Sequence, residues 1–184
     1  VQVSDLRRLR TAIFIRQAFF DLVEEKGFSA VTVTEIAEKA MINRQTFYKH
    51  YYDKYDLAEK IMTEYLTEYQ SVMDKGISLV ENNDSFKAVR SEISPILNEW
   101  SLHKKELKLL LSIDLEGQMN FKEELSKKIQ KYFKTVLPVE ENSLEVYLMP
   151  TISLKMLEYV IENDRIPSEK ELQQVFKKIQ LLFN

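Results

Sequence analysis

The sequence predicts an all-α protein, and three observations predict it. Only three glycines and four prolines interrupt 184 residues, and the chain is rich in Leu, Glu, Lys and Ile. Apolar residues recur at i, i+3, i+4 and i+7 over most of its length. Capping patterns of the Ser/Thr-x-x-Glu type stand at Thr32-Val33-Thr34-Glu35 and Ser168-Glu169-Lys170-Glu171, each ahead of an apolar-periodic run. The pattern divides into about nine helices, three in a helix-turn-helix module over residues 1–53 and the rest in a larger helical domain over 54–184.

The first helix is expected over about residues 5–26, where Ile15, Ala18, Phe19, Leu22 and Val23 make one stripe and Gly27 supplies a stop. Thr32 caps the second, with Glu35 reaching back to it. Ile36, Ala37 and Ala40 then form a narrow face of small residues that lets another helix approach. A turn follows Ala40. Asn43 caps the third helix, in which Phe47 and Tyr51 point inward.

A long fourth helix starts near Asp53 or Lys54 and runs through Leu57, Ile61, Tyr65, Leu66, Tyr69 and Met73 to a stop at Gly76. Its N-terminus, with Lys54 beside it, reads as a phosphate site. Asn82-Asn83-Asp84 open a helix that Pro95 interrupts. Ser101 begins another, rich in leucine (Leu107, Leu109, Leu110, Leu111), that ends at Gly117. Asn120 caps a helix ending before Pro138. One more spans about Ser143–Glu162 with a perturbation at Pro150, and the last runs from Ser168 to Leu182.

The outward set of the third helix is Arg44, Gln45, Thr46, Tyr48, Lys49 and His50. These types suit double-stranded DNA: Arg pairs bidentately with guanine and Gln with adenine, Thr meets a thymine methyl, and Tyr and Lys hold phosphates. An ordinary solvated helix face has the same composition, so the residues alone leave both readings open. Arg7, Arg8 and Arg10 add a basic cluster that either follows a phosphate backbone or is a solvated helix end.

Taken together, Gly27-Phe28-Ser29-Ala30-Val31-Thr32-Val33-Thr34-Glu35-Ile36-Ala37 and Asn43-Arg44-Gln45-Thr46-Phe47-Tyr48-Lys49-His50-Tyr51-Tyr52-Asp53-Lys54-Tyr55-Asp56-Leu57 resemble the DNA-binding domain of the TetR family of transcriptional regulators. Motif support covers roughly residues 10–60. Beyond that, length and helical pattern resemble the family. One position departs from it: Met41 stands where the family usually has glycine, at a residue whose left-handed conformation costs a side chain about 1 kcal/mol. Either the turn is built differently or the strain is offset by burying Met41 against the first helix.

The resemblance implies a cytoplasmic, homodimeric repressor that reads a palindromic operator and is released by a small-molecule inducer. By matching positions, Arg44, Gln45 and Thr46 read bases or adjacent backbone beside Asn43, and Tyr48, Lys49 and His50 hold phosphates or reach base edges. Thr32, Thr34 and Lys54 anchor the backbone. The last two helices, apolar on broad faces, make the dimer interface. An inducer pocket falls within the C-terminal domain, where Tyr65, Tyr69, Trp100, Met119 and Tyr147 are the candidate lining residues. Aromatic and Met residues at such spacing also build ordinary cores.

The composition narrows the rest. No cysteine is present, which excludes disulfides, thiol catalysis and Cys-ligated zinc. Two histidines, His50 and His103, form no His-x-x-x-His pair, and neither a Gly-rich phosphate loop nor a nucleophile elbow occurs, so an enzyme is not expected and no cofactor is implied. No apolar run approaches a bilayer span, and Val1-Gln2-Val3-Ser4-Asp5 does not read as a signal peptide. Net charge is −3, but residues 1–54 hold nine Lys/Arg against seven Asp/Glu, so positive charge gathers with the motif. A reading of another class keeps the same fold: a helical protein-binding co-regulator that does not itself bind specific DNA.

Overall fold

Eight α-helices and one 3-10 turn are formed by the described residues of the computed structural model, which are 3–81, 100, 102–115, 117, 119–136, 140 and 143–181. The helices are α1 (Val3–Lys26), α2 (Val33–Lys39), α3 (Arg44–Tyr48), α4 (Lys54–Glu81), α5 (Lys104–Ser112), α6 (Phe121–Val136), α7 (Leu144–Asn163) and α8 (Glu169–Gln180). The 3-10 turn is Phe28–Ala30, directly after Gly27, which takes a positive φ of 79°. The expected helix from Asn82 with its break at Pro95 lies outside the described residues.

Several ends fall where the local chemistry dictates. Thr32 and Glu35 form the reciprocal capping box of α2, and Ser168 and Glu171 that of α8. The Asn120 side chain accepts from the Glu123 amide at 3.1 Å to start α6. Three bounds differ from the sequence reading. The fourth helix continues through Gly76 to Glu81, because one glycine costs a helix only about 1 kcal/mol and does not stop it. α3 closes at Tyr48, before Tyr51. α5 begins at Lys104 and ends at Ser112, short of Gly117.

Pro150 lies within α7 and is buried. It has no N–H to bond the carbonyl four residues back, which is that of Val146. The Gln130 side-chain amide donates to that carbonyl at 3.4 Å, which offsets the loss and lets the helix run on.

The helices fall into two compact units, Val1–Ser71 with Glu106–Lys128, and Val72–Lys105 with Ile129–Asn184. The first has an aromatic core: Phe19 meets Phe20 and Phe28 edge-on, with ring centroids 5.2 and 6.1 Å apart, and Phe28 meets Tyr55 at 5.3 Å. Ile36 and Phe47 are fully buried, so the apolar sides of α2 and α3 close on α1. Leu107, Leu110, Phe121 and Leu125 extend this core beside Met62 and Tyr65 of α4. In the second unit Trp100, Ile129, Val146, Leu154, Leu157 and Val160 are buried.

Candidate nucleic-acid interface

The turn between α2 and α3 sets the direction of the reading helix. Met41 takes φ 53°, and the Met41 amide donates to the Glu38 carbonyl (3.0 Å) while the Ile42 amide donates to that of Ala37 (2.9 Å). These two bonds are a Schellman closure, with Met41 in the place normally given to glycine. Its side chain is 90% exposed, so the strain is not offset by burial against the first helix, as one sequence alternative had it. The backbone bonds hold the turn instead.

Asn43 then accepts from the Gln45 amide at 2.8 Å through its side chain, and its carbonyl receives Thr46 at 2.8 Å and Phe47 at 3.3 Å. With Phe47 fully buried, the rest of this short helix is oriented by elimination. Arg44, Gln45, Tyr48 and Lys49 are exposed, as is Asn43, and Thr46 and His50 are half-buried. The Arg44 guanidinium comes to 3.5 Å from the Tyr48 hydroxyl. Burial, then the positive charge of Arg8, pushes the His50 imidazole below its usual range.

The residues expected to anchor the backbone divide. Thr32 is exposed, with its hydroxyl engaged by Glu35 at 2.6 Å, and Thr34 is half-buried. Lys54 is turned inward: its ammonium donates to the carbonyls of Phe28 (3.0 Å), Ser29 (2.9 Å) and Val31 (2.9 Å). The N-terminus of α4 is likewise occupied, because Asp53 Oδ1 accepts from the Tyr55 and Asp56 amides, both at 2.8 Å. A carboxylate thus caps the helix end at which a phosphate was expected. Asp53 is itself a favoured N-cap residue, so the sequence carried that signal. Tyr52, 82% exposed just beyond α3, is outside the expected set.

Residues 15–61 match the family model described as "Bacterial regulatory proteins, tetR family". Over those residues the chain is similar to the DNA-binding domain of the TetR family of transcriptional regulators. Two relatives come from Bacillus subtilis (strain 168). The HTH-type transcriptional regulator YdeS is 43% identical over 68 residues, 35% of this chain and 33% of the relative. The HTH-type transcriptional regulator YxbF is 36% identical over 59 residues, 32% of this chain and 16% of the relative. The matches thus span a third or less of these relatives' own length. Over a wider span the fold is similar to that of a transcriptional regulator (TerR/AcrR family) from Aquifex aeolicus VF5, with a TM-score of 0.56 at 22% identity over 92% of this chain and 99% of that one.

The inducer candidates are divided between the two units. Tyr65, Tyr69 and Met119 belong to the first unit, Trp100 and Tyr147 to the second. Tyr65 is buried and its hydroxyl donates to Glu106 at 3.0 Å, Trp100 is buried, and Tyr69 and Met119 are half-buried. Tyr147 is 62% exposed on α7 and so lines no enclosed pocket, which corrects that expectation. The buried side of α7 is formed by Val146, Pro150, Leu154, Leu157, Val160 and Ile161. A groove of about 550 Å³ does run between α7 and α8, lined by Ile152, Met156, Tyr159, Val175, Phe176 and Ile179 among others, and includes none of the five. Among the described residues no helix is long and apolar enough to cross a membrane, and no group of three or more His, Asp or Glu residues is placed to hold a metal ion.

Proposed function

We propose that this chain is a cytoplasmic repressor that binds a palindromic operator as a homodimer and is released by a small-molecule ligand. The observation that carries the reading is the exposed face of α3, where Arg44, Gln45 and Lys49 stand on a short helix whose start is set by Asn43 and whose back is locked by Phe47. Such a face places a bidentate guanine reader, a bidentate adenine reader and a phosphate ligand within one and a half turns. Functionally, residues 1–53 are the reading head and 54–184 the ligand-binding and dimerisation part.

The dimer is supported by apolar surface that a lone chain leaves wet. Leu144, Tyr147, Leu148 and Ile152 of α7, and Val175, Phe176 and Ile179 of α8, are each at least 40% exposed. Two copies meeting there about a two-fold axis bury this face and set two reading helices on one side of a duplex. A ligand releases the operator by favouring the arrangement in which the two heads no longer fit both half-sites.

The exposed apolar residues Leu6, Leu9, Ile13 and Phe14 of α1 favour the rival reading, a co-regulator that docks on a protein. Selection of bound duplexes from a random pool separates the two. Recovery of a palindrome supports the repressor, and binding without sequence preference supports the co-regulator. Within the repressor reading, Gln45→Ala relaxes preference at one base pair by about 1–3 kcal/mol, whereas Lys49→Ala weakens all sequences alike and lowers the salt slope by about 1.

A further inference from the structure

Arg16 lies on α1, three and four residues before the buried Phe19 and Phe20 and so on the same side of the helix. Its Nε and Nη2 donate to Glu106 Oε2 at 2.8 and 2.6 Å, and its Nη1 to Glu64 Oε2 at 2.7 Å. The Tyr65 hydroxyl donates to the same Glu106 oxygen at 3.0 Å. The guanidinium also lies 5.3 Å from the Tyr65 ring centroid and 5.9 Å from that of Phe20. One cation therefore ties α1 to α4 and to the first turn of α5, across 90 residues of sequence. The Glu106 side chain is 17% exposed and that of Arg16 27%, whereas Glu64 is 64% exposed. Water screens the Glu64 pair far more than the Glu106 pair.

The place of Glu106 in the chain gives the cluster its meaning. It is the first residue of the stretch, Glu106–Lys128, that returns to the first unit after the chain has passed through part of the second. Three hydrogen bonds join its carboxylate to α1 and α4. Charge-assisted forks have narrow geometry, so the joint transmits position and not merely attraction.

We propose that Glu106 and Arg16 are positioning residues of the reading head: their pairing sets the pose of α1, and hence of α3, required for two heads to engage both half-sites at once. The inference rests on the proposed function, since it requires a duplex to be read by two copies.

The experiment measures binding by fluorescence anisotropy for the wild-type chain, Glu106→Gln, Arg16→Lys and Glu64→Gln. The duplexes are the selected palindrome, a single half-site, and the palindrome with its half-sites moved apart by one base pair. Melting temperatures are recorded alongside. Expected for Glu106→Gln and Arg16→Lys is a loss on the order of tenfold on the palindrome, with half-site affinity retained and a smaller penalty for the altered spacing. Glu64→Gln should leave all three affinities close to wild type. Equal losses on half-site and palindrome, or no loss in folded variants, overturn the positioning role while wild-type sequence preference leaves the repressor reading intact. If Glu106→Gln does not fold, Arg16→Lys, which keeps the charge and loses the fork, decides the same question. Absence of sequence preference in the wild-type chain defeats the repressor reading and the positioning role with it.

Discussion

The Lys54 ammonium sits 4.8 Å over the Phe28 ring and donates to the Phe28 carbonyl at 3.0 Å, so the first residue of α4 closes the 3-10 turn that leads into α2. With the Ser29 and Val31 carbonyls also accepting from it, this lysine fixes the entry to the helix-turn-helix from within. Lys54→Met keeps the stem and removes the donor. Stability to urea is expected to fall by about 2 kcal/mol, while the salt slope of DNA binding stays unchanged. A variant of wild-type stability with a reduced salt slope would return Lys54 to the phosphate backbone.

Met41 offers the opposite change. At φ 53°, with a side chain almost wholly in water, it carries left-handed strain without compensating burial. Met41→Gly should stabilise the chain by about 1 kcal/mol, a rise in melting temperature of about 2–4 °C, without altering which duplexes are bound. A lower melting temperature would show that the methionine contributes something the turn needs.

Two capping carboxylates predict the response to acid. Glu35 is held down to about 2 by its bonds from Lys26 and Thr32, and Glu171 to about 2 by Arg165 and Ser168. Because the folded values lie below the ordinary 4.5, the stability they contribute is present above about 4.5 and is lost as pH falls toward 2. Melting curves recorded from pH 6 to 2 should show Glu35→Gln and Glu171→Gln each below wild type at pH 6 and converging with it at pH 2. Curves that stay parallel throughout would remove both groups from the acid transition.

The proposed interface is tested by charge. Phe176 and Ile179 are 53% and 42% exposed on α8, a helix with none of its residues fully buried. Placing two carboxylates on an apolar two-fold contact repeats the penalty in both copies. Phe176→Glu with Ile179→Glu should sediment with the mass of one chain at concentrations where wild type has twice that mass, with helical circular dichroism retained. Equal masses for both proteins would place the contact elsewhere.

What could be read along the chain is what depends on neighbours three or four residues away. Thr32 with Glu35, Ser168 with Glu171, Asn43 before α3 and the buried stripe of α1 all lie within a turn or two of their partners, and the structure bears them out. Gly76 misled because a single glycine weakens a helix without ending it when the flanking turns are strong. Tyr147 is exposed because the buried side of α7 is taken by Val146, Pro150 and Leu154, which spacing along an apolar helix does not by itself decide.

By itself, then, the sequence determined the all-α class, the caps, the helix-turn-helix and the side of α3 that carries Arg44, Gln45 and Lys49, since each follows from helical spacing and local hydrogen bonding. Only the tertiary structure decided that Lys54 turns inward to carbonyls 23 to 26 residues away, and that Arg16 pairs with Glu106 across 90. A charged side chain reports its type in sequence, but its partner is chosen by which distant segments the core brings within about 3 Å.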